Sequence, residues 1–87
     1  MLAISCTPEA WEQYVFWQSQ DRKTLKRINV LIGAATRDPF LGIGKPEPLI
    51  ANLKGYWSRR IDEKNRLVYR ATSTDIIVIS CRYHYSR

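Results

Sequence analysis

The chain has 87 residues, of which 45% are hydrophobic, 25% charged and 11% aromatic. This length fits a single domain over residues 1–87, and the aromatic content excludes a disordered tail. The Lys and Arg residues number 14 against 8 Asp and Glu, a formal net charge of +6. An excess of this size predicts a polyanion or an acidic protein as partner.

The sequence predicts a cytoplasmic protein with no membrane partner. Its longest apolar run, residues 76–79, is too short to span a bilayer, and residues 2–4 lead directly into polar residues, unlike a signal peptide. Cys6 and Cys81 are therefore expected to be reduced. Because both lie among apolar neighbours, we expect two buried thiols without a function.

The first half of the chain predicts one strand and two helices. Residues 2–6 alternate in polarity, which indicates a short strand. Thr7 followed by Pro8 is typical of a helix start, and the spacing of the apolar residues predicts a helix to about residue 18. Asp21 predicts the cap of a second helix, whose apolar stripe is Leu25, Ile28, Leu31, Ile32 and Ala35.

Residues 39–55 carry three of the four prolines and three of the four glycines, so they predict a long irregular segment. Segments of this length are usually functional or disordered. The apolar side chains in this segment predict that it packs against the domain; they are Phe40, Leu41, Ile43, Leu49, Ile50 and Leu53.

The last third of the chain predicts three strands, over residues 56–61, 66–71 and 76–83. The two connections between them are short and rich in turn-forming residues, so both are expected to be antiparallel hairpins. The fold class is therefore α+β, in the order β-α-α-β-β-β, with a mainly antiparallel sheet and two helices packed on one face.

Several kinds of chemistry have no support in this sequence. There is one histidine, and the two cysteines lack the spacing of a zinc site, so we expect no metal. No glycine-rich phosphate loop opens a helix, and no serine elbow is visible, so we expect no cofactor.

Two side chains are candidates for acid–base catalysis. Glu47 lies between Pro46 and Pro48, which restrict the backbone and allow a fixed general base. An exposed loop residue between two prolines is the simpler interpretation of this one carboxylate. His84 is a candidate general acid, or a surface histidine near the chain end. In a regular strand His84 and Tyr85 point to opposite faces, so the chain must bend if both act at one site.

The predicted strands also carry arginines interleaved with aromatic residues, a composition that suits single-stranded RNA. Guanidinium groups bind phosphate and aromatic rings stack on unpaired bases, although arginines facing water remain an alternative. The arginines are Arg59, Arg60, Arg66, Arg70 and Arg82, and the aromatic residues are Tyr56, Trp57, Tyr69, Tyr83 and Tyr85.

Four segments in the expected order, residues 44–49, 55–61, 65–69 and 81–85, resemble the YoeB (Txe) toxins of bacterial toxin–antitoxin systems. These toxins belong to the RelE-like superfamily of mRNA interferases. The resemblance extends over nearly the whole chain. It implies a metal-independent endoribonuclease that enters the A site of the 70S ribosome, beside rRNA, and cleaves mRNA there during translation.

The resemblance also assigns roles to individual residues. Glu47 would be the general base that takes the proton of the ribose 2′-hydroxyl. Arg66 would hold the scissile phosphate, and His84 would be the general acid that protonates the leaving 5′-oxygen. Tyr85 would orient the phosphate or the base. Further contacts to the RNA backbone are implied for Lys45, Arg59, Arg60 and Arg82.

The partners implied by the resemblance are a cognate antitoxin of the YefM/Phd type, with an acidic tail that covers the site, and a second copy of the toxin in a homodimer. Operator DNA would be bound only through the antitoxin complex. Two features depart from the pattern: Ile50 stands where a lysine is common, and Ser86 and Arg87 extend the usual C-terminus.

Two other functions remain open from the sequence. A ParE-like toxin that inhibits gyrase shares the predicted architecture but lacks the set of Glu47, Arg66 and His84. A non-catalytic module that binds RNA or antitoxin is the second alternative, and its RNA binding would depend steeply on salt.

Overall fold

The structure, a computed structural model, describes residues 1–84. Within them the predicted α+β class and element order are confirmed, with one more strand than expected. The elements are β1 (Ala3–Cys6), α1 (Pro8–Gln20), α2 (Arg22–Arg37), β2 (Glu47–Pro48), a short 3-10 helix (Ala51–Leu53), β3 (Trp57–Arg60), β4 (Arg66–Ala71) and β5 (Asp75–Ser80).

Both helices begin directly after the residues predicted to cap them. The Thr7 hydroxyl accepts the Ala10 N–H at 3.1 Å, and the Asp21 carboxylate accepts the N–H groups of Lys23 and Thr24 at 3.1 and 3.2 Å. Hydrogen bonds from the Thr24 side chain and backbone hold the pKa of Asp21 below its ordinary value. Helix α1 extends to Gln20, beyond the predicted end, because Asp21 follows it directly and caps α2.

The strands form one mixed sheet in the order β1-β5-β4-β3-β2. Strands β3, β4 and β5 make the predicted antiparallel meander. The first strand, β1, is the parallel neighbour of β5, and β2 pairs antiparallel with β3 at the opposite edge. The sheet is therefore mainly antiparallel, as expected, and its edge strands are β1 and β2.

The two helices cover one face of the sheet. Leu67 and Tyr69 of β4 point into that core, where they join Ile28 and Leu31 of α2. Because successive strand residues alternate between faces, Val68 and Arg66 belong to the other face. That second face is the one relevant to the candidate site. Among residues 1–84, no helix is long and apolar enough to cross a membrane.

The segment between α2 and β3 is held in place differently from the prediction. Leu49 is buried, but Leu41 and Ile50 are 69% and 78% exposed, so apolar burial does not hold most of it. Instead the buried Arg59 guanidinium donates to the carbonyls of Asp38, Leu41 and Ile43 at 2.6–2.9 Å.

The prediction of two buried thiols was wrong for Cys6. Cys81 is 1% exposed, and burial raises the pKa of its thiol to about 12. Cys6 is exposed, because it lies at the end of the edge strand β1. An edge strand has a neighbour on one side only, so its apolar pattern does not guarantee burial.

Candidate active site

Glu47 lies in strand β2, not in an irregular loop as predicted. Its partner across the ladder is Ser58 of β3, and Leu49 continues the pairing by donating its N–H to the Tyr56 carbonyl at 2.9 Å. A proline on each side is compatible with this strand because it is at the edge of the sheet. The Glu47 side chain is exposed, and its backbone is fixed by the strand as well as by the prolines.

Strand register places Glu47 and Arg66 on the same face. Glu47 is opposite Ser58, and Ser58 is opposite Val68, so these three residues form a row across the sheet. Residues directly opposite in antiparallel strands share a face. Arg66 is two residues before Val68 and therefore lies on that face too. The row spans two strand spacings, which is about 10 Å.

Arg66 is only 8% exposed, and its direction is set by the turn between β3 and β4. Its NH1 nitrogen donates to the carbonyls of Asp62 at 2.6 Å and Asn65 at 3.1 Å. Its backbone N–H donates to the Tyr83 carbonyl at 3.0 Å. This last bond brings the C-terminal arm, residues 81–84, beside Arg66.

The C-terminal arm leaves the sheet after Ser80, where β5 ends, whereas the last strand was predicted to continue to residue 83. Helix α1 anchors the start of the arm. The Gln13 side chain accepts the Cys81 N–H at 2.7 Å, and the Trp17 indole donates to the Cys81 carbonyl at 2.9 Å. Tyr85 and the two residues after it lie outside the described residues.

His84 is exposed at the junction of two clefts. The first, the turn cleft, has a volume of about 480 Å³ and lies between the end of α1 and the β3–β4 turn, with Asn65 in its wall. The second, the sheet cleft, has a volume of about 420 Å³ and reaches Val68 on the face that carries Glu47. His84, Tyr83 and Arg82 line both clefts.

Arg59 was predicted to contact RNA, and the structure contradicts this. Its side chain is 0% exposed, and besides the three carbonyls its Nε donates to the Tyr69 hydroxyl at 3.0 Å. Tyr69 in turn donates to the Pro39 carbonyl at 2.5 Å. Strand alternation turns Arg59 toward the core and Arg60 toward solvent, so Arg59 is a structural residue.

Three other predicted RNA-binding residues are accessible. Lys45 and Arg60 are exposed and adjacent, because the Arg60 N–H donates to the Gly44 carbonyl at 2.7 Å. Arg60 is also directly opposite Arg66 in the ladder, an arrangement of like charges that an anion would stabilise. The Arg82 guanidinium lies 3.6 Å from the centre of the Phe16 ring, in the wall of both clefts.

The sequence did not reveal the residues that hold the arm. Gln13 and Trp17 are spaced four apart on α1, a separation typical of any helix face, and Asn65 is predicted only as part of a turn and of the segment 65–69. A signal was present in the Asp-x-x-Asn pattern of the turn.

Within residues 1–84, no three His, Cys, Asp or Glu side chains are grouped closely enough to hold a metal ion.

The two helices on a five-stranded mixed sheet, with residues 81–84 bent beside the β3–β4 turn, form an α+β fold of the RelE-like class. The family model of the YoeB-like toxins of bacterial type II toxin–antitoxin systems matches residues 6–85. The chain belongs to this family.

Full-length relatives support this membership. The chain is 57% identical over 86 residues to toxin YoeB of Synechocystis, covering 99% of this chain and 100% of the relative. A YoeB dimer from Staphylococcus aureus has a TM-score of 0.90 at 46% identity, covering 97% of this chain and 98% of that one. A YoeB–YefM complex from Staphylococcus aureus has a TM-score of 0.89 at 44% identity, covering 98% and 99%.

Proposed function

We propose that this toxin is a metal-independent endoribonuclease that cleaves translated mRNA in the ribosomal A site and so inhibits translation. The observation that supports the proposal is the backbone position of three residues. Arg66 and the His84 arm are joined by a backbone hydrogen bond through Tyr83, and Glu47 shares a face of the sheet with Arg66. A base, a cation and an acid are therefore available on one side of the molecule.

RNA supplies its own nucleophile, so these three groups suffice for the reaction. Glu47 takes the proton of the ribose 2′-hydroxyl, and the 2′-oxygen attacks the neighbouring phosphorus. Arg66 stabilises the charge that develops on the phosphate oxygens. The bond from phosphorus to the 5′-oxygen breaks, and His84 gives that oxygen a proton. The products are a 2′,3′-cyclic phosphate and a 5′-hydroxyl.

Exposed cations around this face would hold the RNA backbone. Lys45 and Arg60 extend the positive surface from the edge of the sheet, and Arg82 lies in both cleft walls. Tyr85 is proposed to orient the phosphate or the base. Ile50 stands where a lysine is common in the family. Its side chain is 78% exposed, so a lysine at this position would also face solvent.

The proposed partners follow from the relatives and from charge. The YoeB–YefM complex and the YoeB dimer from Staphylococcus aureus both superimpose on this chain. We therefore propose a YefM-type antitoxin as partner, homodimer formation, and operator binding only within the antitoxin complex. A toxin of net charge +6 suits an acidic disordered antitoxin segment. The proposed location is the cytoplasm, where translated mRNA is found.

The experiment is to express the wild-type chain and the double variant Glu47→Ala/His84→Ala in bacteria and to map mRNA 5′ ends by primer extension. We expect new ends within translated codons for the wild type only, because the variant lacks both proton-transfer groups. An untranslated copy of the same message is the control and should stay intact. Growth arrest with intact mRNA would indicate a gyrase poison instead, and plasmid supercoiling by gyrase would test that alternative directly.

Cleavage is expected to continue when 1,10-phenanthroline removes zinc and other transition metals, at a Mg²⁺ concentration that keeps ribosomes intact. The reason is that the proposed base, acid and phosphate ligand are all side chains. The rate on programmed ribosomes is measured with and without the chelator. Loss of activity that zinc restores would contradict the metal-independent mechanism.

A further inference from the structure

The turn between β3 and β4 contains a hydrogen-bonded pair of side chains, Asp62 and Asn65, which we call the Asp62–Asn65 clasp. The Asp62 carboxylate accepts the N–H groups of Lys64 and Asn65, each at 2.8 Å. The Asn65 side-chain amide donates to both carboxylate oxygens of Asp62, at 3.1 and 3.2 Å. Both side chains are therefore fixed by the turn itself.

The clasp extends to the C-terminal arm. The Asn65 Oδ1 atom accepts the Tyr83 N–H at 2.7 Å, and the Arg66 N–H donates to the Tyr83 carbonyl at 3.0 Å. The two ends of the Asn65 amide have different partners, one an acceptor and one a donor, so the amide has only one favourable orientation. Both backbone polar groups of Tyr83 are thus held by neighbouring residues at the end of the turn.

Tyr83 needs this restraint because its backbone is strained. Its φ is 70°, in the left-handed region that a bulky residue rarely adopts. Such a conformation is unfavourable and persists only where surrounding contacts enforce it. Strand β5 has already ended at Ser80, so no sheet ladder supports this part of the arm.

We propose that Asn65 is a positioning residue for the general acid: through the Tyr83 N–H it holds His84 against the same turn that orients Arg66. This inference rests on the proposed function. The Asp62 and Asn65 carbonyls accept from the Arg66 NH1 group, so one turn sets the positions of the phosphate-binding cation and the acid. Asn65, Tyr83 and His84 also line the same turn cleft.

The test compares two mRNA substrates on programmed ribosomes, at the cleavage position mapped for the wild type. One has the natural 5′-oxygen at the scissile phosphate, and the other has sulfur in place of that bridging oxygen. A thiolate leaves without being protonated, so cleavage of the sulfur substrate does not need a general acid. The ratio of the sulfur rate to the oxygen rate therefore reports the acid step separately from folding and RNA binding.

For His84→Ala we expect this ratio to rise about 100-fold, because a general acid commonly contributes that much or more. For Asn65→Ala we expect a rise of about tenfold or more, since a misplaced catalytic group retains only part of its effect. Asn65→Asp keeps an acceptor for the Tyr83 N–H but faces Asp62 with a second carboxylate. Asn65→Asp should raise the ratio less than Asn65→Ala does. It is the variant to measure if Asn65→Ala does not fold.

Thr72→Ala is the matched control. The Thr72 hydroxyl accepts the N–H groups of Thr74 and Asp75 in the β4–β5 turn, at the other end of β4. Loss of this hydroxyl weakens a similar turn away from His84. The Thr72→Ala variant should therefore be less stable, with an unchanged ratio of the sulfur rate to the oxygen rate. Thermal unfolding of each variant measures that cost.

The outcomes separate the inference from the proposed function. If the ratio rises for His84→Ala but stays at the wild-type value for both Asn65 variants, the positioning role is wrong and the nuclease assignment stands. If His84→Ala loses activity equally on both substrates, His84 is not the acid, and the proposed mechanism and the role of Asn65 both fail.

Discussion

Arg66→Ala is expected to lower the rate of ribosome-dependent mRNA cleavage by about 100-fold or more, because removal of one donor that stabilises developing charge commonly costs that much. Arg66 is 8% exposed, and the turn carbonyls of Asp62 and Asn65 direct its guanidinium before substrate binds. Arg66→Lys should recover little activity, since an ammonium group cannot present two parallel donors to a phosphate. The measurement is the single-turnover rate at saturating toxin.

The matched control for this prediction is Arg70→Ala. Arg70 lies on the same strand, is exposed, and is separated from Arg66 by about 13 Å along the strand. The Arg70→Ala substitution removes the same charge as Arg66→Ala. Because Arg70 is far from Arg66, we expect a far smaller loss of cleavage rate. Equal losses for the two variants would indicate a general effect of positive charge on RNA binding. Full activity of Arg66→Ala, with unfolding curves showing a folded protein, would refute the assigned role.

Arg59→Met is expected to lower the free energy of unfolding by about 3 kcal/mol or more, because hydrogen bonds made by a charged group commonly contribute about 1.5–3 kcal/mol each. The substitution removes the donors to the carbonyls of Asp38, Leu41 and Ile43 and to the Tyr69 hydroxyl. These carbonyls belong to the segment that leads into Glu47. Urea unfolding followed by tryptophan fluorescence measures the loss.

Tyr69→Phe is the smaller change in the same network. It deletes one acceptor of Arg59 and the donor to the Pro39 carbonyl, and it leaves the other three hydrogen bonds of Arg59 in place. We expect a loss of about 1–2 kcal/mol. An Arg59→Met protein as stable as the wild type would show that the segment after α2 is held by its apolar contacts, as the sequence had suggested.

Features that depend on neighbouring residues were predictable. Thr7 and Asp21 cap the helices because a short polar side chain reaches the amides two or three residues ahead, whatever the rest of the fold does. The hairpins of the meander follow for the same reason, since turn residues act over four positions. The two-residue strand β2 was missed because its pairing is set by its distant partner β3.

The candidate site was predictable in its residue types and only partly in its arrangement. Glu47, Arg66 and His84 were identified from their chemistry and from the family resemblance, and their catalytic roles remain predictions. Arg59 and Arg60 are adjacent and identical in type, yet one is fully buried and the other exposed. Their orientation depends on strand register and on the covering segment, and neither can be read from two consecutive arginines.

The sequence alone determined the class of the fold, the starts of the two helices and the positive charge, because capping, periodicity and net charge are properties of short segments or of composition. It also determined the family, through four motifs in order. Tertiary structure decided which charged groups are accessible and how the arm is held. Arg59 stabilises a segment that begins 21 residues away, and Asn65 holds Tyr83 18 residues further on. Such contacts depend on the positions of distant backbone atoms, which only the folded sheet brings together.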